Sequence, residues 1–240
     1  MMIHDSTFID PSAQIAENVH IGPFCHIGKN VIIEEGCRIA SHVIMNDNVT
    51  CKSNVKIFSY VHLGNNLANI IIGENTHIRE FTMIGTNDNS DKTVRIAKDN
   101  FIMAYVELSN GVELDESCIL TNSVTMLEDV TCKEKVIVGG LSIIEANITI
   151  GTGVMIGGAS YIDKDMPPFT LVEGNKAQVK GLNVVGMRRR FENRDDIKAV
   201  KQAYKSIYRN EINKEEALQY SKNTQSSYAK QFCEFIATLT

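Results

Sequence analysis

The chain has 240 residues, a formal net charge of -5, 43% hydrophobic and 22% charged residues, and no tryptophan. This balance describes a soluble globular protein long enough to bury a real core, and the acidic charge argues against wholesale nucleic-acid binding. No apolar run approaches a membrane span, and Met1 to Asp10 lacks the basic-then-apolar order of a signal peptide, so a cytoplasmic protein is expected.

From Ile9 an apolar side chain recurs every six residues: Ile15, Ile21, Ile27 and so on to Leu63. The register slips after Leu63 and resumes at Ile72, Ile78 and Ile84. A polar stretch, Asn87 to Lys92, interrupts it, and the period then runs from Ile96 to Ile162. An α-helix needs apolar spacing near 3.6 and an ordinary strand needs 2, so a period of six fits neither. It fits a parallel β-helix in which three hexads make one triangular coil. Coils stacked at roughly 4.8 Å would make a rod about 40 Å long. None of the six cysteines forms a CxxC pair. Cys51 and Cys132 occupy the periodic slot, and Cys37 and Cys118 lie four residues after it, so reduced, buried thiols are expected rather than a zinc or redox motif.

The repeat ends near Ile162, and Pro167-Pro168 breaks it. The spacing gives a β-helix over 1–168, a connecting segment over 169–190 and a helical domain over 191–240. Ile197, Val200, Tyr204 and Ile207 make one helical stripe, and Tyr228, Phe232, Phe235, Ile236 and Leu239 make a second. Asn213 with Glu216 reads as a capping box between them. A helical tail of this kind would cover one open end of the solenoid.

Hexads of the form [Ile/Leu/Val]-Gly-x-x-x-x resemble the left-handed β-helix acyltransferases. Ile21-Gly-Pro-Phe-Cys-His-Ile-Gly28, Met166-Pro-Pro-Phe169, Glu173-Gly-Asn175, Gly186-Met-Arg-Arg-Arg190 and Ala203-Tyr-Lys-Ser-Ile-Tyr-Arg209 narrow the likeness. With these segments the chain resembles the bacterial UDP-N-acetylglucosamine O-acyltransferases of lipid A synthesis, from about Ile3 through the tail. The resemblance implies a left-handed helix, a homotrimer with active sites between coils, and transfer of an acyl group from acyl carrier protein. It implies no bound cofactor, since the phosphopantetheine or coenzyme A thioester is a co-substrate.

The family's reaction uses a histidine as general base, because an alcohol is a weak nucleophile at neutral pH. Register transfer puts Asn110 at that position and Glu107 at the second histidine of the same run. Glu128-Asp129 and Glu145-Ala146 fall on two further histidine-containing pairs. All six histidines of this chain precede Glu80. An amide cannot take a proton at useful pH, and loss of a base costs roughly 10²–10⁴-fold. Asn183, Arg189 and Arg190 fall where the family binds the sugar nucleotide, and arginine forks suit phosphate oxygens. Gly158 falls at the family's acyl-length ruler.

Two functional readings follow. In the first, the chain is an acyltransferase with altered chemistry. Carboxylates Glu107, Glu128, Asp129 and Glu145 line a cleft that suits an ammonium group, so the expected acceptor is a nucleotide-linked sugar, either UDP-N-acetylglucosamine-like or a 3-amino sugar, with catalysis altered or impaired. Glu107 then acts as base or orienter and Asn110 as a hydrogen-bonding positioner. In the second, the chain is a non-catalytic homologue that binds nucleotide sugar or acyl carrier protein. A third reading, zinc held by His20 and His26 as in the β-helix carbonic anhydrases, lacks further ligands at matching slots.

Overall fold

A computed structural model describes residues 2–87, 89–209 and 214–239. Among them, short strands, mostly of two or three residues, stack into three sheets of eleven, nine and eight strands, one sheet per face of a triangular prism, with every pairing parallel except that of the last strand of the first sheet. The first face begins with Met2–Ile3, the second with Phe8–Ile9 and the third with Gln14–Ile15. The fold is a left-handed parallel β-helix.

The register explains the sequence period. Ile3 pairs with Ile21, Ile21 with Ile39 and Ile39 with Ile57, so each coil places an isoleucine directly over the last. The periodic residues point inward and are buried from Ile21 onward. A second inward column sits four residues later in each hexad and is mostly valine, with Cys25, Cys37 and Cys118 among its members. Burying each such side chain contributes about 1.5–3 kcal/mol. All six cysteines are free and buried, and Cys233 belongs to the helical tail.

Corners close through residues with positive φ. Many are asparagine, such as Asn30 (55°), Asn48 (63°) and Asn54 (61°), a residue that tolerates the left-handed region. At the corner between the first and second faces the same positions carry rings instead. Phe24, His42, Tyr60, Phe81 and Tyr105 form a continuous, exposed ladder with centroids 4.8–5.0 Å apart.

Two coils are longer than the rest, both at the corner between the second and third faces. Leu63 pairs with Ile84, twenty-one residues on, and Ile84 with Leu108, twenty-four residues on, against the usual eighteen. The slip after Leu63 and the polar stretch from Asn87 are therefore loops extruded at one corner on consecutive coils.

The segment 169–190 is structured rather than a simple connector. Thr170–Glu173 extends the first face, pairing in parallel with Met155–Ile156, and Gln178–Leu182 returns antiparallel to it. Helix α1 (Val184–Arg190) follows, then α2 (Arg194–Arg209), α3 (Lys214–Asn223) and α4 (Ser227–Thr238). Asn213 lies outside the described residues, so the capping box is not described. Val200, Phe232 and Ile236 from the two stripes are buried between the helices together with Ala203. Phe169 joins tail to rod: it is buried edge-on against Phe191 and Tyr228, at 5.2 and 5.8 Å. Gln231 adds a hydrogen bond of 2.8 Å from its amide to the Thr152 hydroxyl.

Candidate active site

The corner between the second and third faces collects most of the polar residues singled out by sequence. Asn110 sits there, fully buried. Its Oδ1 accepts the Asn87 backbone N–H at 3.2 Å, and its Nδ2 donates to the Ser90 carbonyl at 3.2 Å. Asn65, from the other extruded loop, grips the same segment. Its Nδ2 donates to the carbonyls of Asn87 and Ser90, the latter at 2.8 Å, while its Oδ1 accepts the N–H groups of Leu67 and Ala68, each at 2.9 Å. Two buried carboxamides thus clasp the 85–92 loop at its backbone. Buried backbone groups need such partners, and each one left unpaired costs about 1–3 kcal/mol.

The loop's side chains engage the carboxylates two coils on, beyond Asn110. Asn87 Nδ2 donates to Glu128 Oε1 at 2.8 Å, and Lys92 Nζ pairs with Asp129 Oδ2. The Asp129 hydrogen bond holds the Lys92 ammonium above the usual lysine range. Two of the four carboxylates expected to face an acceptor are therefore met by groups of the chain itself. Glu145 is met by a third, the Tyr161 hydroxyl, which donates to Oε1 at 2.6 Å. That hydrogen bond keeps the phenol protonated to higher pH than usual. Glu107 projects outward from the second face, exposed, in register with Met83 and Thr125. Among the described residues its carboxylate has no hydrogen bond or ion pair, which leaves it free to meet a ligand.

The other singled-out residues occupy different corners. Gly158 lies between the first and second faces, where an added Cβ would approach the Gly140 carbonyl at 3.3 Å. Asn183 caps α1, its Oδ1 accepting the Gly186 N–H at 2.9 Å, and its Nδ2 donates to the Gly153 carbonyl at 3.1 Å. Arg190 docks on that same glycine, between the third and first faces. Its Nη2 donates to the Lys135 carbonyl at 3.3 Å, while its buried Nε has no partner. Burial pulls the guanidinium below its ordinary range. Gly153 has φ of 66° and no room for a Cβ, which would fall on the guanidinium. Arg189 is exposed. One chain therefore does not gather Asn110, Gly158 and Arg190 into one cleft; it presents them on three separate edges. His20 and His26 are likewise apart, on the first and second faces, with His26 stacked on Phe8 at 5.0 Å.

The sequence reading missed the clasp. Asn65, Ser90 and Lys92 stood in stretches visible only as interruptions of the period, and Tyr161 gave no signal beyond its outward slot.

Comparison with known proteins bears on the whole chain. A solved UDP-N-acetylglucosamine acyltransferase from Campylobacter jejuni superimposes with a TM-score of 0.93 and 32% identity, covering 99% of this chain and 97% of that one. This chain belongs to the UDP-N-acetylglucosamine acyltransferase family. The Acinetobacter baumannii member superimposes with a TM-score of 0.88 at 30% identity, over 100% of this chain and 98% of that one. Among curated relatives, the acyl-[acyl-carrier-protein]–UDP-N-acetylglucosamine O-acyltransferase of Nautilia profundicola is 40% identical over 169 residues. That match takes in 70% of this chain and 65% of the relative, so the chain spans just under two thirds of that relative's length. The family model "Udp N-acetylglucosamine O-acyltransferase; Domain 2" matches residues 165–240, and a model of the GMPPB C-terminal domain matches residues 3–89. The two solved structures superimpose on the β-helix and the helical tail together.

Proposed function

We infer that the chain moves an acyl group from an acyl carrier protein or coenzyme A thioester to a nucleotide-linked amino sugar, with chemistry altered from that of its relatives. Family membership supports the acyl donor and the nucleotide-sugar acceptor class. The observation that carries the alteration is Asn110. At the position where the resemblance puts the base stands an amide, buried, with both ends of its carboxamide committed to the 85–92 loop.

An acceptor that needs little base assistance resolves this. A neutral amine attacks the thioester carbonyl directly: the C–N bond forms, the C–S bond breaks, and the proton lost by nitrogen ends on the departing sulfur. The exposed Glu107 carboxylate would orient the amine and relay that proton. Asn110 acts indirectly, as a positioning residue that fixes the loop carrying Asn87 and Lys92. Arg189 would meet the nucleotide phosphates. The co-substrate is the thioester itself, and no bound cofactor is required.

We infer further that the working unit is a homotrimer. The candidate residues lie on three edges of the prism, so a complete site needs edges from more than one copy. The exposed aromatic ladder, with Phe8, Ile44, Met83 and Ile143 exposed on the adjoining second face, supplies apolar surface for that contact.

A second reading, a non-catalytic homologue that binds nucleotide sugar or acyl carrier protein, is favoured by the internal pairing of Glu128, Asp129 and Glu145. The test is incubation with acyl carrier protein thioesters or acyl-coenzyme A and UDP-sugars bearing a 3-amine or a 3-hydroxyl. Thiol release and an acylated product mass with the amine support transfer. Ligand binding without thiol release on either acceptor supports the second reading.

A further inference from the structure

Lys92 stands among carboxylates. Its Nζ pairs with Asp129 Oδ2, and among the described residues Glu128 and Asp91 are the other negative charges close to it. Both halves of this pair are set by the backbone around them. Asn110 Nδ2 lies 3.5 Å from the Lys92 carbonyl, so the buried amide fixes the residue from which the ammonium reaches out. Gly111, at φ of 79°, serves the other half. A Cβ there would fall on Asp129 Oδ1, so only glycine lets that carboxylate lie back over the Asn110 coil toward the loop.

The contact adds little to folding. The Lys92 and Asp129 side chains are 49% and 35% exposed, and exposed ion pairs contribute about 0–1 kcal/mol. The loop is already fastened at its backbone by Asn65 and Asn110. Three carboxylates around one ammonium repel an anion, so Lys92 is no seat for nucleotide phosphates. What this corner can exchange is one ammonium for another. Of the four carboxylates expected to face an acceptor, Glu128 is met by an amide and Glu145 by a phenol. Asp129 is the one paired with an ammonium of the chain itself.

We propose that Lys92 sets acceptor specificity by competition: its ammonium holds on Asp129 the seat that the ammonium of an amino-sugar acceptor takes over, and a hydroxyl sugar does not displace it. The inference rests on the amino-sugar reading above and names the residue that selects within it. Only an acceptor with its own positive charge gives Asp129 a partner in exchange for Lys92. An acceptor bound as its ammonium sheds one proton to water before the attack already described, and the second leaves on the sulfur.

The test is calorimetric binding of UDP-sugars bearing a 3-amine or a 3-hydroxyl to the full chain, with thiol release from acyl carrier protein thioester followed in parallel. Lys92→Met keeps most of the side chain and removes its charge. It should tighten the amine by about two- to fivefold and leave the hydroxyl unchanged, so the preference for the amine rises. Lys92→Arg should keep the parent's preference. Asp129→Asn should remove most of that preference, and adding Lys92→Met to it should change nothing further. Circular dichroism and thermal unfolding check that each variant folds. Equal weakening of both acceptors by Lys92→Met would make Lys92 a structural latch and overturn the assignment. An unchanged preference in folded Lys92→Met or Asp129→Asn would overturn it too. Transfer to the amine with no response to Lys92→Met would sink this proposal alone. The expected binding shifts without thiol release would uphold it and sink the transfer reading alone. A parent that does not bind the amine would sink both.

Discussion

The backbone N–H of Asn87 donates to Oδ1 of Asn110 at 3.2 Å, across twenty-three residues of chain. This bond ties the extruded loop to the coil above it. With Asn65 gripping the loop from the coil below, the corner is held by amides rather than opened around a base.

Asn110→Ala leaves the Asn87 N–H without its side-chain acceptor and the Ser90 carbonyl with Asn65 alone. The variant should be less stable by about 1–3 kcal/mol, with faster amide exchange across the loop. Asn65→Ala should act on the same segment, so the double variant should cost less than the two singles added. Strict additivity in denaturant unfolding would mean that the two amides do not share a loop.

Of the four carboxylates singled out by sequence, Glu107→Gln removes the one that has no hydrogen bond or ion pair among the described residues. Transfer to a 3-amino acceptor should fall by roughly 10²–10⁴-fold if that group handles the proton, with folding unchanged because the side chain is exposed. Steady-state kinetics on the amine acceptor reads this directly, and an unaltered kcat would assign the proton elsewhere.

Gly153→Ala places a methyl group on the Arg190 guanidinium and forces a residue other than glycine to φ of 66°. Both effects act where α1 meets the rod, since Asn183 also donates to the Gly153 carbonyl. A loss of about 1–3 kcal/mol is expected, with α1 through α4 becoming susceptible to proteolysis before the coils do.

Burial pushes the Cys37 thiol up to about 11 and the Cys118 thiol to about 12, from an ordinary value of 9.0. The folded state therefore holds protons that the unfolded state releases. The stability this contributes is complete below pH 9 and declines as pH rises toward the folded values. Unfolding midpoints should fall between about pH 9 and 11, and native thiols should resist alkylation at neutral pH until the chain unfolds.

Much of the fold was legible because a β-helix writes its geometry into the sequence at one fixed period. Ile21, Ile39 and Ile57 lie eighteen residues apart and stack in register, so inward and outward slots follow without knowledge of any contact. The site was less legible because its parts lie where that period fails. Asn65 and Lys92 stand in loops of irregular length, and nothing local says that two loops on successive coils share a corner. Asn183 and Arg190 matched a binding motif, yet both meet Gly153, a contact set by how the helical tail folds back on the rod. The outward carboxylates were read correctly as outward, but their partners, Asn87, Lys92 and Tyr161, come from other coils and could not be seen from spacing.

Asn110→His tests most directly whether position 110 is a clasp or merely a vacated base. A neutral imidazole has one acceptor and one donor nitrogen, but its ring sets them at different positions and directions from the carboxamide's Oδ1 and Nδ2, so the bonds from Asn87 and to Ser90 are not both kept. The variant should show a loosened 85–92 loop by amide exchange and no acyl transfer to a 3-hydroxyl sugar. Turnover on the hydroxyl acceptor, with loop protection intact, would contradict this account and return the chain to the chemistry of its relatives.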